Sequence, residues 1–193
     1  LYCEMDASAH VDEQIEQIER MERMIADLLR LEKLRAGGVD FAMQPCQLHV
    51  VAHEVIEGFR PLYPNKQLLL SGEATIRCDA ARMGEAIGNL IKNACAHTAR
   101  DGMVWVRLSA GEASATIEVE DDGGGVPTED LPRLFERFFR SARSSQHEGT
   151  GVGLSIARAI IRLHHGTIQA SNGPKGLRVV VTLPDLRHTL KKT

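Results

Sequence analysis

Two asparagines, Asn89 and Asn93, stand four residues apart in a segment whose apolar residues recur with a helical period. Residues four apart share one helix face, so the two amides are expected side by side. They lie about 120° from the centre of the apolar face, at the edge of a pocket. Amide oxygens are neutral, hard ligands that suit Mg²⁺ when a triphosphate supplies the negative charge. Taken alone, the pair is unspecific and favours the alternative of solvent-facing amides.

An acidic residue, Asp121, ends an alternating apolar run. Ile117, Val119 and Asp121 share parity, so the carboxylate continues the inward face of a strand. Asp122 points the other way, and the chain then enters a glycine cluster that ends at Gly125. A buried carboxylate can accept a hydrogen bond from the exocyclic amine of adenine and reject a base that lacks it. The alternative is a tight turn, although these glycines exceed what a hairpin needs.

A second glycine cluster, Gly149, Gly151 and Gly153, precedes a helix expected from Leu154 to Leu163. Backbone N–H groups at a helix start bind phosphate, and Thr150 offers a further donor. A dinucleotide fingerprint would need a strand before the glycines, where residues 143–148 are polar, and no Walker A pattern occurs. The cluster therefore indicates a phosphate site of another kind.

The segment between the glycine clusters contains Phe135, Phe138 and Phe139, three of only five phenylalanines. The arginines around them are Arg133, Arg137, Arg140 and Arg143. Aromatic anchors with phosphate-seeking arginines predict a mobile lid. A surface helix packed on the core is the alternative.

The elements that must position these residues begin with a long amphipathic helix from His10 to Ala36. Ser8 is expected to cap it, and Gly37-Gly38 to end it. Its apolar stripe is too wide for solvent, which predicts a homodimeric helical bundle.

Beyond Gly38 the hydrophobic residues recur with a helical period in some segments and with a strand period in others. Helices are expected at 48–59, 80–99 and 154–163, and strands at 67–70, 74–78, 104–108, 115–120, 167–170 and 178–183. Asp79 should cap the second of these helices. Without a strict βαβ rhythm, the fold class is α+β, a mixed sheet with helices on one face.

Composition and charge exclude some classes of partner and site. A net charge of -3 and a pI of about 6.3 disfavour a nucleic-acid partner. The four cysteines lack a Cys-x-x-Cys pair, which favours reduced, buried thiols. No apolar run approaches a membrane span and no signal peptide is visible, so any membrane contact is expected through segments outside this chain.

Four stretches in order, Asn89 to Ala94, Asp121 to Gly125, Phe135 to Arg140 and Gly149 to Leu154, resemble the N, G1, F and G2 boxes of bacterial sensor histidine kinases. The resemblance covers residues 48–183. It implies the two-layer α/β sandwich of the Bergerat (GHKL) ATPases, with ATP under a flexible lid. The long helix resembles the second helix of the kinases' dimerisation hairpin. A partial dimerisation helix at 1–38 and an ATP-binding catalytic domain at 39–193 are the implied division.

The resemblance also implies roles for individual residues. Asn93 would chelate Mg²⁺, Asn89 would support the phosphates and Asp121 would hold adenine. Arg137 and Arg140 would be the lid arginines that act with the two amides in catalysis. The other implied nucleotide-binding residues are Gly123, Gly125, Val126, Phe135, Thr150, Gly151, Val152, Gly153 and Leu154.

Some positions depart from the family's pattern. Hydrolytic relatives carry a glutamate base where this chain has Asn89, so phosphate is expected to go to a protein side chain instead of water. Ala96 replaces a frequent Lys or Arg, and Lys92 or a lid arginine would have to cover that charge. His164 and His165 are expected to pack. None of the eight histidines stands in a His-Glu-x-x-x-Pro context, so the acceptor helix is expected outside this chain.

The implied function is transfer of the ATP γ-phosphoryl group to a histidine, and thence to a response regulator, by the cytoplasmic domain of an inner-membrane sensor that dimerises through the N-terminal helix. The chemistry would be positioning together with charge neutralisation by Mg²⁺. Two alternatives stay open. One is a protein-serine kinase of the same superfamily, against which the long helix argues; the other is a degenerate nucleotide-sensing or dimerisation module, which Ala96 mildly favours.

Overall fold

The N-terminal helix α1 spans Tyr2–Arg35 in a computed structural model that describes residues 2–36, 41–141 and 150–185. Helix α1 begins before Ser8, so the predicted cap at that residue is wrong: the helical pattern simply continues through it. The helix ends at Arg35, close to the predicted boundary, with Lys33 and Arg35 in its last turn. The predicted stop at Gly37-Gly38 lies outside the described residues, as do Arg143 and Gly149.

Helix α1 is divided between two environments. Near its end, Leu31 and Leu34 are fully buried and belong to the core of the following domain. Further up the helix, Ile18, Met21 and Ile25 are more than half exposed. Among the α1 side chains that the structure describes, the buried apolar residues therefore lie in the last two turns.

The domain after α1 is built on a five-stranded mixed sheet. The domain contains the five strands of this sheet, two strands outside it (β1 and β3) and three helices. In chain order these elements are β1 Gln44–Gln47, α2 Leu48–Phe59, β2 Gln67–Ser71, β3 Thr75–Cys78, α3 Ala80–His97, β4 Met103–Ala110, β5 Ser114–Asp121, α4 Gly153–Leu163, β6 Thr167–Asn172 and β7 Leu177–Pro184. The strand order is β2-β4-β5-β7-β6, with β2 parallel to β4 and the other neighbours antiparallel. The α+β class and all three predicted helices of the domain are confirmed.

Alternation along the strands determines which sheet face the helices cover. In β4 and β5 the residues of one parity, such as Val104, Val106 and Ile117, are buried, whereas Trp105 and Glu118 of the other parity are partly exposed. Helices α2, α3 and α4 all contact the sheet. The buried parity and the apolar helix faces form one core, as the sequence predicts.

Two elements are absent from the predicted pattern. Strand β1 pairs antiparallel with β3 in a separate ribbon, and a short 3-10 helix, Thr128–Arg133, follows the first glycine cluster. Strand β1 is only four residues long and contains Pro45, which weakens its sequence signal. The cysteines at 46, 78 and 95 are free and buried, in agreement with the prediction. None of the helices within the described ranges has the length and apolar character needed to cross a membrane.

Candidate nucleotide site

Asp121 ends β5, and it is 2% exposed. Its Oδ1 accepts hydrogen bonds from the backbone N–H of Gly123 at 2.9 Å and of Leu177 at 3.1 Å. Burial raises the pKa of the Asp121 carboxyl; the two N–H donors oppose that rise, and the nearby charges of Asp122 and Glu120 add to it. A buried carboxylate whose pKa is raised in this way is a strong acceptor without a cationic partner, which suits a neutral N–H donor on a ligand.

The chain packs closely around this carboxylate. A Cβ atom placed on Gly176 would lie 2.3 Å from both Oδ1 and the backbone oxygen of Asp121, so only glycine fits there. Asp122 is exposed, and its Oδ2 accepts the N–H of Met103 at 3.0 Å. The two neighbouring carboxylates therefore face different ways, as their strand parity predicts.

Helix α3 supplies the two amides. The side chain of Asp79 accepts the N–H of Arg82 at 3.0 Å, which confirms the predicted cap. Residues such as Met83, Ile87 and Leu90 bury the opposite face. Asn89 and Asn93 are half-buried at the border between the buried and exposed faces.

The two amides differ in their hydrogen bonding. Asn89 donates through Nδ2 to the carbonyl of Glu85 at 3.0 Å, which leaves its Oδ1 pointing outward from the helix backbone. Asn93 makes no hydrogen bond to any residue in the described part of the chain. Its amide oxygen is therefore available as a ligand.

Close approaches tie these elements to one location. A Cβ on Gly123 would lie 2.2 Å from the carbonyl oxygen of His97 and 3.1 Å from Oδ1 of Asp121, so the end of α3 lies against the carboxylate. A Cβ on Gly153 would lie 2.9 Å from Oδ1 of Asn89. The carboxylate, the amide face of α3 and the start of α4 thus border a common region.

The start of α4 offers backbone donors to that region. Gly151 has a positive φ of 69°, and Val152 precedes the helix without a side-chain cap. Neither acidic residues nor a capping side chain occupy the first turn, so the N–H groups of Gly153 and Leu154 face no competing acceptor there. This is the arrangement that binds phosphate at helix starts.

The segment from Gly125 to Arg140 covers one side of the region. Val126 is anchored by Asn172, which accepts its N–H at 3.0 Å and donates to its carbonyl at 2.8 Å. Phe135 is buried in the core, whereas Phe138 is 48% exposed with a positive φ of 61°. One aromatic therefore anchors the segment and another is presented to solvent.

Two residues expected at the phosphates contact helix α1 instead. Arg137 pairs with Glu32 at 2.6 Å, and the hydroxyl of Thr150 donates to Asp27 at 2.9 Å. Arg140 is half-buried within the lid segment. The structure thus brings the amides, Asp121 and the glycines together, but it holds Arg137 and Thr150 at the helix.

Other residues of the site gave no signal in the sequence. Leu177 and Gly176 contact Asp121, and Asn172 fixes Val126, yet all three belong to a turn and strand more than 40 residues away in sequence. Their only hint was the Asn-Gly and Gly turn chemistry between β6 and β7. Asp27 and Glu32 looked like ordinary solvent-facing charges of α1.

The donors available for a cation are amide oxygens. Among the side chains that the structure describes, no three His, Cys, Asp or Glu residues form a metal-binding group. A Mg²⁺ ion here would therefore depend on an asparagine oxygen together with ligand phosphates and water, the mode usual for this ion at nucleotide sites. The half-buried, unbonded amide of Asn93 fits that role.

Comparisons with known proteins identify the family. Residues 78–187 match the family described as histidine kinase-, DNA gyrase B-, and HSP90-like ATPase. The probable sensor histidine kinase TcrY of Mycobacterium tuberculosis is 33% identical over 185 residues, which are 93% of this chain and 39% of TcrY. The chain thus spans well under half of that relative's length.

Solved structures show the same fold. The mycobacterial sensor histidine kinase MprB superposes with a TM-score of 0.69 at 26% identity, over 73% of this chain and 97% of that chain. Histidine kinase ThkA, solved in complex with the response regulator protein TrrA, gives a TM-score of 0.72 at 20% identity, over 89% of this chain and 49% of that one. With 110 of its 193 residues matched by the family model, the chain belongs to the histidine kinase-, DNA gyrase B- and HSP90-like ATPases, and it resembles the catalytic ATP-binding domains of the sensor histidine kinases among them.

Proposed function

We propose that this chain is the ATP-binding catalytic part of a two-component sensor kinase, which transfers the γ-phosphoryl group of ATP to a histidine outside the chain and thence to a response regulator. The observation that carries the proposal is the meeting of Asp121, the amide face of α3 and the start of α4 at one place. The family match supports ATP as the substrate.

Each group has a role that its chemistry supports. Asp121 accepts the exocyclic amine of adenine, Asn89 supports the phosphates and Asn93 holds Mg²⁺. The N–H groups of Gly153 and Leu154 bind phosphate at the start of α4. When bound, Mg²⁺ neutralises charge on the transferred phosphoryl group, and the protein contributes mainly positioning.

The lid is the part that must rearrange. Arg137 and Arg140 act at the phosphates in this proposal, and Arg137 first has to leave Glu32. Three glycines allow the backbone of the pocket walls to approach the nucleotide closely: Gly123, Gly125 and Gly151. The other proposed wall residues are Val126, Phe135, Thr150 and Val152.

The proposal divides the chain into part of a dimerisation helix at 1–38 and the catalytic domain at 39–193. The exposure of the apolar residues of α1 before Leu31 supports this division. The exposed stripe of Ile18, Met21 and Ile25 supports a homodimer. The ThkA–TrrA complex supports a response regulator as partner, and the sensor kinases among the relatives support a cytoplasmic position in an inner-membrane sensor.

Phosphotransfer to a separately supplied acceptor tests the proposal. The chain is incubated with γ-labelled ATP, Mg²⁺ and a separately supplied acceptor-helix fragment that contains a His-Glu-x-x-x-Pro sequence, and acid-labile label on a histidine is measured. We expect label on the acceptor, and an Asn93→Ala variant should give none. ATP binding without any transfer would support a nucleotide-sensing module instead, and acid-stable label on serine would support the serine-kinase alternative.

A further inference from the structure

A cavity lies between the end of α1 and the outward face of α4. Its volume is about 140 Å³, well above what a single water molecule requires. The residues that line it are Leu34, Arg35, Ser155, Arg158, Ala159, Arg162 and Leu163. None of them is a candidate nucleotide-binding residue, so the cavity is separate from the site described above.

Positive charge dominates the lining. Arg158 and Arg162 are four residues apart on α4, so their side chains share one face, and Arg35 reaches the cavity from the last turn of α1. Neither Arg158 nor Arg162 forms a salt bridge with any residue in the described ranges. Like charges that line one cavity repel each other, which favours a bound anion between them.

The environment of Arg158 shows that its charge is uncompensated. The guanidinium is half-buried and lies 5.8 Å from the ring centre of Phe135. Burial lowers its pKa, the charge of Arg162 lowers it further, and only Glu136 acts in the other direction. A half-buried cation in this state gains more from a bound anion than a solvated surface arginine would.

The lining also favours one class of anion. Guanidinium groups present planar forks of N–H donors that match the oxygens of phosphate. The hydroxyl of Ser155 donates to the carbonyl of Val152 at 2.7 Å, so the guanidinium groups supply the available donors. A tetrahedral oxyanion can accept from three forks at once, which a single carboxylate does less well.

We propose that the cavity lined by Arg35, Arg158 and Arg162 binds a phosphate-type oxyanion and thereby joins helix α1 to helix α4. The anion comes either from free inorganic phosphate or from the phosphate chain of a second nucleotide. Bound there, it would hold the dimerisation helix against the helix whose first turn forms part of the nucleotide site.

Calorimetric titration with inorganic phosphate, in a buffer free of other oxyanions and with sodium chloride as the ionic-strength control, tests the proposal. We expect saturable binding with one phosphate per chain. Arg162→Gln, on an exposed side chain, and Arg158→Gln should each weaken it about tenfold or more. Arg100→Gln, which removes an exposed cation that does not line the cavity, should leave it unchanged. If Arg158→Gln fails to fold by circular dichroism, Arg162→Gln still decides the question.

Two further arms separate this site from the nucleotide site. Asp121→Asn should keep phosphate binding although it loses ATP binding, and a second, weaker ATP equivalent that disappears in Arg162→Gln would identify a nucleotide as the source. Phosphate binding that is absent, that persists unchanged in both arginine variants, or that is lost with Asn93→Ala would overturn the proposal.

Discussion

At the scale of single residues, Asp121 combines a proposed role in nucleotide binding with a cost to stability. Folding raises the pKa of its carboxyl, so the folded domain binds this proton more tightly than the unfolded chain does. Proton linkage gives the sign of the pH dependence of stability. The charged carboxylate lowers the stability of the ligand-free domain at neutral pH, and stability is regained as the pH falls through the raised pKa. A buried carboxylate that lowers the stability of the ligand-free domain is consistent with a role in binding a ligand.

Asp121→Asn therefore separates the two properties. The Asn oxygen can still accept the N–H groups of Gly123 and Leu177, so the ligand-free variant should be as stable as the wild type or more stable at pH 7. The side-chain NH₂ group that replaces Oδ2 is a donor and cannot accept a hydrogen bond from the adenine amine, so ATP affinity should fall by roughly 10- to 100-fold. Thermal denaturation with and without ATP and Mg²⁺ measures both effects. An undiminished ATP-induced shift would contradict the assignment of Asp121.

Gly153→Ala tests the contact between α4 and α3. The new methyl group would lie 2.9 Å from Oδ1 of Asn89, so the amide must move. We expect ATP affinity to fall several-fold while the domain stays folded, because the displaced atom ends a flexible side chain. Gly58→Ala is the matched control: no atom lies within 4 Å of its Cβ position in α2. It should stabilise the domain by roughly 0.5–1 kcal/mol and leave binding unchanged, and equal ATP affinities in the two variants would argue against the contact.

At the scale of elements, the sequence predicted the helices better than their connections. Helix α3 combined a cap at Asp79, an apolar face and no internal proline, so local and tertiary preferences agreed. Strand β1 and the 3-10 helix lacked such agreement, since one is short with Pro45 inside and the other contains Pro132. Their formation depends on pairing with β3 and on the anchored loop before Thr128, which are long-range effects that no local pattern encodes.

His164, which follows α4, is buried and contacts the residue that caps α3, in agreement with the prediction that it packs. Its Nε2 accepts the N–H of Asp79 at 3.0 Å, and its Nδ1 donates to the carbonyl of Ile160 at 2.8 Å. Both ring nitrogens are thus engaged by the neutral tautomer. Burial lowers the pKa of His164, with a smaller lowering from His165, and the backbone bond and Asp79 oppose it.

This depressed pKa predicts a loss of stability in mild acid. Below about pH 6.5 the unfolded chain takes up a proton that folded His164 resists, so stability is complete above that pH and falls as the pH decreases. Urea denaturation at pH 7.5 and 5.5 measures the difference. His164→Gln should shrink it, whereas His165→Gln, at an exposed position, should not. An identical difference in both variants would show that another group is responsible.

The contact between α1 and the lid makes a prediction of its own. Glu32 is 53% exposed and Arg137 27%, so their ion pair contributes at most about 1 kcal/mol to stability. Glu32→Gln should leave the melting temperature nearly unchanged but free Arg137 for the phosphates, which raises ATP affinity by a few-fold. Glu19→Gln, which removes the partner of exposed Arg23, is the control and should have no effect on ATP binding. Weaker ATP binding in Glu32→Gln would mean that the helix contact supports the site.

At the scale of the whole molecule, the candidate site is assembled from parts far apart in sequence. The sequence indicated Asn89, Asn93 and Asp121 because residue type and periodicity coincided, and it indicated Gly153 from its place before a helix. It could not indicate Gly176 or Asn172, because their importance comes from the β5–β7 and β6–β7 pairings that carry a distant turn to Asp121. Nor could it predict that α1 would hold Arg137, since an exposed Glu32 on a long helix has many possible partners.

The exposed apolar stripe of α1 predicts an interface with a second copy of the chain. Ile18 is 57% exposed and Ile25 56%, on a helix whose last turns already pack on α4. Burying each isoleucine would contribute roughly 1.5–3 kcal/mol, and a symmetric dimer buries each of them twice. The double variant Ile18→Asp/Ile25→Asp should therefore be monomeric.

Sedimentation equilibrium at tens of micromolar protein tests that expectation. The wild-type chain should sediment as a dimer and the double variant as a monomer, with the ATP-induced thermal shift retained in both because Ile18 and Ile25 are exposed and do not belong to the core. Leu62→Asp changes a side chain that is 70% exposed outside α1, and it should remain dimeric. A wild-type monomer at these concentrations, or a dimer that survives both aspartates, would mean that the stripe has a different partner, such as a preceding helix of the same polypeptide.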